Sequence, residues 1–354
     1  MEYNRKNSKK YNGIDLMKFV ASIFVVSIHC PPLIDFSKKA DFNLEIISRF
    51  CVPFFFIASA FFLYNKINRT RPEEQRGIII NYMKRIGAMY LFWLVVSVWF
   101  VFDKYHELIY TGLGIFLKSF IHDFFLGSTF RGSWYLMASI ICGLVIYELC
   151  YNKVPSWMQI LVVTAIFVLT VLTSAYYYKF DASSLFIQMV SRYENIFAWA
   201  GLSWPAGVIY FYIGKKLADY WEKIERIPWR VLCLSVILFG FFMLLEMNYI
   251  KSKGWVRISD QFFSLVPFSV SIFLLSVKLK LKDSIVYQWM REISIITYCG
   301  QFIFITLMDK LRQNYGLFNF SCIWRYLIVL LLCWGLYFLI KILEKKIKVL
   351  KYSY

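Results

Sequence analysis

The chain holds three histidines, and only His29 stands inside an apolar run long enough to cross a membrane. Imidazole titrates near neutral pH, which suits a general base. The segment leading to it reads Ile14-Asp15-Leu16-Met17-Lys18-Phe19-Val20-Ala21-Ser22 and then continues mostly apolar. At about 100° per residue on a helix, Asp15, Lys18, Ser22 and His29 fall within a sector of roughly 60°. These four share one stripe, and a charge carried into hydrocarbon costs roughly 2.5–3.5 kcal/mol, so the stripe is expected to face a bundle interior. The plainer alternative is that Asp15 and Lys18 are interfacial charges and that His29 caps the far end. Spacing limits the chemistry. Asp15 and His29 are separated by roughly 21 Å of helix, so Asp15 cannot orient His29 as a triad carboxylate does. Asp15 and Lys18 belong at the inner end of a polar channel, and His29 at its outer end.

A second polar set begins at Ser48-Arg49-Phe50-Cys51-Val52-Pro53-Phe54-Phe55-Phe56 and continues to Ser59. Arg49 is expected at the outer level of His29, either in the site or on a lipid headgroup. Pro53 has no N–H and frees a carbonyl that neighbours must satisfy. His106 and His122 fall in the interval Asp103 to Gly132, outside any run long enough to cross a membrane. Eight cysteines lie in or beside apolar segments with no Cys-x-x-Cys pair and no zinc spacing, so they read as small buried hydrophobes and no metal is expected.

The elements that must position these residues are helices crossing a bilayer. The chain has 354 residues, 59% of them hydrophobic and 20% aromatic, with mean hydropathy +0.55. A soluble domain is about 45–50% apolar and interleaves polar residues at helical or strand period. Here the apolar residues come in blocks, and a span needs roughly 20 of them. Ten segments qualify: about 14–32, 48–65, 82–102, 133–151, 157–176, 199–218, 229–249, 260–278, 289–308 and 321–341. Residues 112–126 are apolar but short and read as an interfacial or re-entrant piece. No period-2 alternation suggests a barrel. There is no internal repeat or linker, so the expectation is an all-α polytopic membrane bundle of about ten transmembrane helices forming one domain over residues 1–354. Loops this short leave any chemistry inside the bundle or at its mouths.

The net charge of +18 would suggest nucleic acid in a soluble chain. Its distribution gives another reason. With the N-terminus inside, the cytoplasmic segments hold 25 of the 40 Lys and Arg, and the opposite side 14, Lys18 being the remaining one. That bias follows the positive-inside rule and places both termini in the cytoplasm. Basic loops there attract anionic lipid, so membrane lipids are expected partners and nucleic acid is not. The first apolar segment runs into Pro31, Pro32 and Asp35 without a small-residue cleavage site and reads as a retained span.

Ile14-Asp15-x-x-Lys18 with His29, followed by Arg49-x-x-Val52-Pro53-x-Phe55-Phe56-x-x-Ser59, resembles the opening signature of the acyltransferase family 3 membrane proteins. Further along, Tyr82-Met83-Lys84-Arg85 resembles the family's basic cytoplasmic motif, and Trp134-Tyr135-Leu136 its Trp-[Phe/Tyr]-Leu. Phe211-Tyr212-Ile213-Gly214 resembles its Phe-x-x-Gly, and Ser294-x-x-x-Tyr298 its late element. Two positions depart: Ala88 stands where a second Arg is usual, and Gln301 where His is. The resemblance implies a multi-pass protein of a bacterial plasma or inner membrane. It implies transfer of an acyl group, commonly acetyl from acetyl-CoA, to a hydroxyl of a cell-envelope glycan or related polar acceptor. His29 would be the base. Lys84 and Arg85, at a cytoplasmic helix mouth, would hold the CoA phosphates or else act only as positive-inside anchors. Asp15, Lys18, Arg49, Trp134, Tyr298 and Gln301 would contact substrate. Relatives of the fold also serve as transport modules, so a transporter of a small polar solute, an amino acid or sugar, stands as the alternative, with an assembly subunit of an envelope-synthesis complex behind it.

Overall fold

The computed structural model describes residues 11–152, 154–317 and 320–354. The basic residues before Tyr11, and Lys153, all counted on the cytoplasmic side above, lie outside them. The described chain forms fifteen α-helices and no strand. In order they are α1 (Asn12–His29), α2 (Lys38–Ser48), α3 (Cys51–Ile67), α4 (Pro72–Val96), α5 (Val98–Thr111), α6 (Leu113–Phe125), α7 (Trp134–Tyr151) and α8 (Ser156–Ser174). They continue with α9 (Leu185–Ile196), α10 (Trp204–Asp219), α11 (Trp221–Ile224), α12 (Trp229–Ser252), α13 (Leu265–Lys278), α14 (Ile285–Tyr315) and α15 (Cys322–Leu343).

The chain is an all-α polytopic membrane bundle. Among the described residues eight segments are long and apolar enough to cross a membrane: α1, α2 continued by α3, α4, α7, α8, α12, α14 and α15. A ninth is the pair from Leu185 to Asp219, bent by 46°. The segment expected over 260–278 is helical only as α13, 14 residues long. Helix cannot begin earlier because residues before Leu265 fold as the loop that carries Asp260 and Gln261. The expected span over 82–102 also differs. Its helix starts at Pro72, where proline suits the first turn, and ends at Val96; Ser97 turns the chain into the separate α5. The short stretch expected near 112–126 is α6, none of whose residues is buried.

Small residues set how closely the central helices approach. A Cβ on Gly214 of α10 would stand 2.5 Å from the Ile57 carbonyl oxygen and 2.7 Å from the Ala60 Cβ of α3. That contact gives the Phe211–Gly214 motif a packing reason. The α1 helix lies among α3, α13 and α14. Its start is tied by Asn12, whose Nδ2 donates to Asp283 Oδ1 at 2.9 Å, and its outer half by a Ser27–Ser48 hydroxyl pair at 3.0 Å. Along α8 runs an open groove of about 660 Å³ walled by Trp157, Ile160, Leu161 and other mostly apolar residues. Such a surface suits acyl chains and bears no chemistry.

Candidate functional site

One cavity, about 360 Å³, gathers residues from six parts of the chain, Leu202 coming from the turn before α10. The end of α1 contributes Val25, Ile28 and His29, and the entrance to α3 contributes Arg49, Val52 and Pro53. Ser128, Arg131, Gly132 and Trp134 come from the approach to α7, Asp260 and Gln261 from the loop before α13, and Tyr298, Phe302 and Ile305 from α14. Four sequence-selected residues, His29, Arg49, Trp134 and Tyr298, therefore meet in one wall although they lie on four segments.

His29 is exposed to this cavity, and its ring stands 4.6 Å from that of Phe302. Among the described residues neither ring nitrogen has a hydrogen-bond partner. The base is thus free to accept a proton from a ligand. Arg49 differs in kind. Its Nη1 pairs with Asp260 and its Nη2 with Glu45, and Nη2 also donates to Ser259 Oγ at 2.9 Å. Ser259 in turn donates to Glu45 Oε1 at 2.6 Å. Two carboxylates account for the cation, in place of the lipid headgroup that the sequence left open. Only its Nε–H is buried without a partner.

Tyr298 donates its hydroxyl proton to the Gly132 carbonyl at 3.0 Å, which pins the loop before α7 to α14. Gly132 has φ +79°, and a Cβ there would lie 2.8 Å from Phe302 Cε2, so glycine is required on both counts. Trp134 opens α7 and packs 6.1 Å from the Phe56 ring. Gln301 does not reach the cavity. It is wholly buried, its Nε2 donates to the Tyr298 carbonyl at 3.1 Å, and its Oε1 has no partner. Its place on α14 is about 60° round the helix from Tyr298, which turns it into the bundle, while Phe302 takes the position facing His29. Gln301, expected among the ligand contacts, thus stands behind the wall with its amide bonded to its own helix.

The inner end of α1 is separate. Asp15 lies 4.0 Å from Lys18 Nζ and 3.4 Å from Arg291 Nη1 of α14, and Lys18 also stands over the Phe62 ring at 5.1 Å. Neither Asp15 nor Lys18 lines the cavity, and Ser22 between the two ends is fully buried, donating to its own helix at the Phe19 carbonyl. Lys84 and Arg85 are exposed on α4 without an ion pair among the described residues, and Arg85 is within electrostatic range of Lys18 and Tyr135. Between the ends stand the rings of Phe55, Tyr135 and Tyr298, at 5.3 to 6.1 Å from one another.

His106 and His122 stay outside the cavity. His106 Nδ1 lies 2.8 Å from the Asp103 carbonyl and His122 Nδ1 lies 3.1 Å from Asp123 Oδ1. The α5–α6 pair steadies the cavity's rim: Lys104 Nζ bonds both Asp123 Oδ2 and the Ser128 carbonyl at 2.6 Å, and Tyr105 donates to Asp123 Oδ2. Burial disfavours the Asp123 carboxylate, yet the Lys104 and Tyr105 bonds outweigh it and hold the carboxyl below its usual range. The sequence analysis missed Arg131, Gly132, Asp260, Gln261 and Phe302. Arg131-Gly132 immediately before the Trp134 motif was a usable signal, because it places a cation at the mouth of that span. Asp260 had none, since its partner lies 211 positions away.

The profile of an acyltransferase domain family matches residues 11–341. The chain belongs to acyltransferase family 3. Three curated relatives extend the picture. An amino-acid racemase of Enterococcus faecalis is 26% identical over 239 residues, covering 66% of this chain and 32% of the relative. A second amino-acid racemase of Enterococcus faecalis is 23% identical over 352 residues, covering 96% of this chain and 47% of the relative. A serine/alanine racemase of Enterococcus gallinarum is 31% identical over 83 residues, 23% of this chain and 12% of the relative. The chain thus spans about half or less of the length of the curated relatives it matches. No solved structure matches it.

Proposed function

We propose that this family 3 member is a membrane acyltransferase that moves an acyl group, acetyl in the simplest case, from acyl-CoA to a hydroxyl of an envelope glycan or related polar molecule. The observation that carries this reading is His29, exposed in a half-open cavity with neither ring nitrogen hydrogen-bonded among the described residues. The acceptor oxygen attacks the thioester carbonyl carbon. The C–O bond forms and the C–S bond breaks, while His29 takes the hydroxyl proton and returns it to the departing thiolate. The Arg49 guanidinium, which lines the cavity, would bring positive charge toward the oxyanion that develops on that carbonyl. Lys84 and Arg85 on α4 would take the CoA phosphates, and the pantetheine arm would reach His29 past Phe55, Tyr135 and Tyr298. Both termini then lie in the cytoplasm of a bacterial plasma or inner membrane. A single cysteine at Glu73→Cys in a cysteine-free background should resist impermeant reagents in intact cells; labelling there would overturn the orientation.

The deciding experiment follows label from acetyl-CoA into envelope material in cells with the protein, without it, and with His29→Ala. Label that depends on the protein and on His29 supports the reading, and equal label in all three sinks it. One observation favours a second reading. The racemase relatives are named for amino acids, small polar solutes of a size that a cavity of about 360 Å³ accommodates, which suits a transporter. A binding histidine would tolerate His29→Gln, whereas a base would not.

A further inference from the structure

We propose that Arg131 is a subsite for an anionic group on the acceptor, so that the molecule presenting its hydroxyl to His29 also carries a carboxylate or a phosphate. The inference rests on reading the His29 cavity as the acceptor site. Three charged side chains line that cavity, Arg49, Asp260 and Arg131. Arg49 is matched by Asp260 and by Glu45 behind it. Arg131 is exposed and, among the described residues, has neither an ion pair nor a hydrogen bond to its guanidinium. The negative charges of the wall are already committed, which leaves one cation for a ligand. The planar fork of arginine meets carboxylate and phosphate oxygens two at a time, so it selects for those groups rather than for charge alone.

The position of Arg131 is set by its neighbours. The carbonyl of Gly132 is held by Tyr298, and the glycine itself abuts Phe302. On the other side Phe130 N donates to Ser133 Oγ at 3.4 Å. Phe302 is also the ring against which His29 stands. One phenylalanine thus spaces the base from the backbone that carries the arginine. A cavity of about 360 Å³ lies at the small end of the range of about 300–1,000 Å³ for ligand pockets. A single sugar acid or a polyol phosphate fits that space, with its hydroxyl toward His29 and its anion toward Arg131.

The test uses the full chain in detergent and saturation-transfer NMR with four probes at one ionic strength: D-glucuronate against methyl glucoside, and glycerol 3-phosphate against glycerol. At least one anionic probe should bind about tenfold more tightly than its neutral counterpart, a difference of about 1.4 kcal/mol. The pair that shows the preference tells carboxylate from phosphate. The preference should vanish in Arg131→Gln and shrink in Arg131→Lys, which keeps the charge but not the planar fork. Equal binding within both pairs, binding by no probe, or a preference that survives Arg131→Gln would overturn the proposal. So would loss of acetyl-CoA affinity in Arg131→Gln without a change in probe preference, which would put the arginine on the donor. Acetyl-CoA binding and transfer by the wild-type chain are measured alongside. An anion preference without either defeats the acyltransferase reading and leaves the subsite standing, and transfer without a preference does the reverse.

Discussion

The two ends of α1 carry polar groups on one stripe and treat them in opposite ways. At the inner end Asp15 lies between Lys18 and Arg291, one carboxylate serving two cations. At the outer end His29 and Arg131 both line a cavity, and among the described residues neither has a hydrogen bond or an ion pair. A polar group inside a membrane protein must be paired, hydrated or in use. The satisfied end is therefore read as the part that holds helices together and the unsatisfied end as the part that does chemistry. Arg49 sits between these cases, since it lines the cavity while two carboxylates hold its guanidinium.

The sharpest way to break this contrast is at His29. Replacement by Ala or by Gln should each lower acyl transfer by about 10²- to 10⁴-fold. Thermal unfolding in detergent should hardly move, because a cavity-facing ring can shrink without leaving a dry void. Near-normal transfer in His29→Gln would defeat the base assignment. Arg49→Gln probes the intermediate case. It leaves Glu45 and Asp260 facing one another without their cation, and should destabilise the bundle by about 2–4 kcal/mol. A second change, Glu45→Gln, should restore part of that loss; an unchanged melting temperature in the single variant would remove Arg49 from the structural side.

Smaller effects refine the boundary. Replacing Lys84 and Arg85 together by Gln should weaken CoA binding about tenfold at low salt and less at high salt, where exposed charges are screened. Unaltered CoA affinity with an intact fold would place the phosphates elsewhere. Gly132→Ala should cost about 1–2 kcal/mol for the left-handed backbone and should lower transfer by shifting Phe302 against His29. If it behaves as wild type in both measurements, the clamp on the Arg131 loop is not what sets the cavity. Asp15→Asn is expected to change stability by no more than about 1 kcal/mol, the scale of a partly exposed ion pair. A large loss of transfer in that variant would extend the active region to the inner end and dissolve the contrast.

The bundle class, most of the apolar segments and the shared stripe of Asp15, Lys18, Ser22 and His29 were legible in the amino-acid order, because each depends on hydrophobicity and on the fixed pitch of one helix. The same pitch put Asp15 and His29 at opposite ends. What it could not supply was the rotation and depth of each helix against the next. Arg49 and Asp260 meet across 211 positions, and no local period foretells that pairing. Gln301 and Phe302 are neighbours on α14, yet packing sends one into the core and the other onto the cavity wall. Whether residues 260–264 belong to a span or to the loop bearing Asp260 was likewise decided by where that loop had to reach. Sequence sets which faces seek burial. The choice of partner for each face belongs to the tertiary structure, since it depends on how closely glycines such as Gly214 let two helices approach.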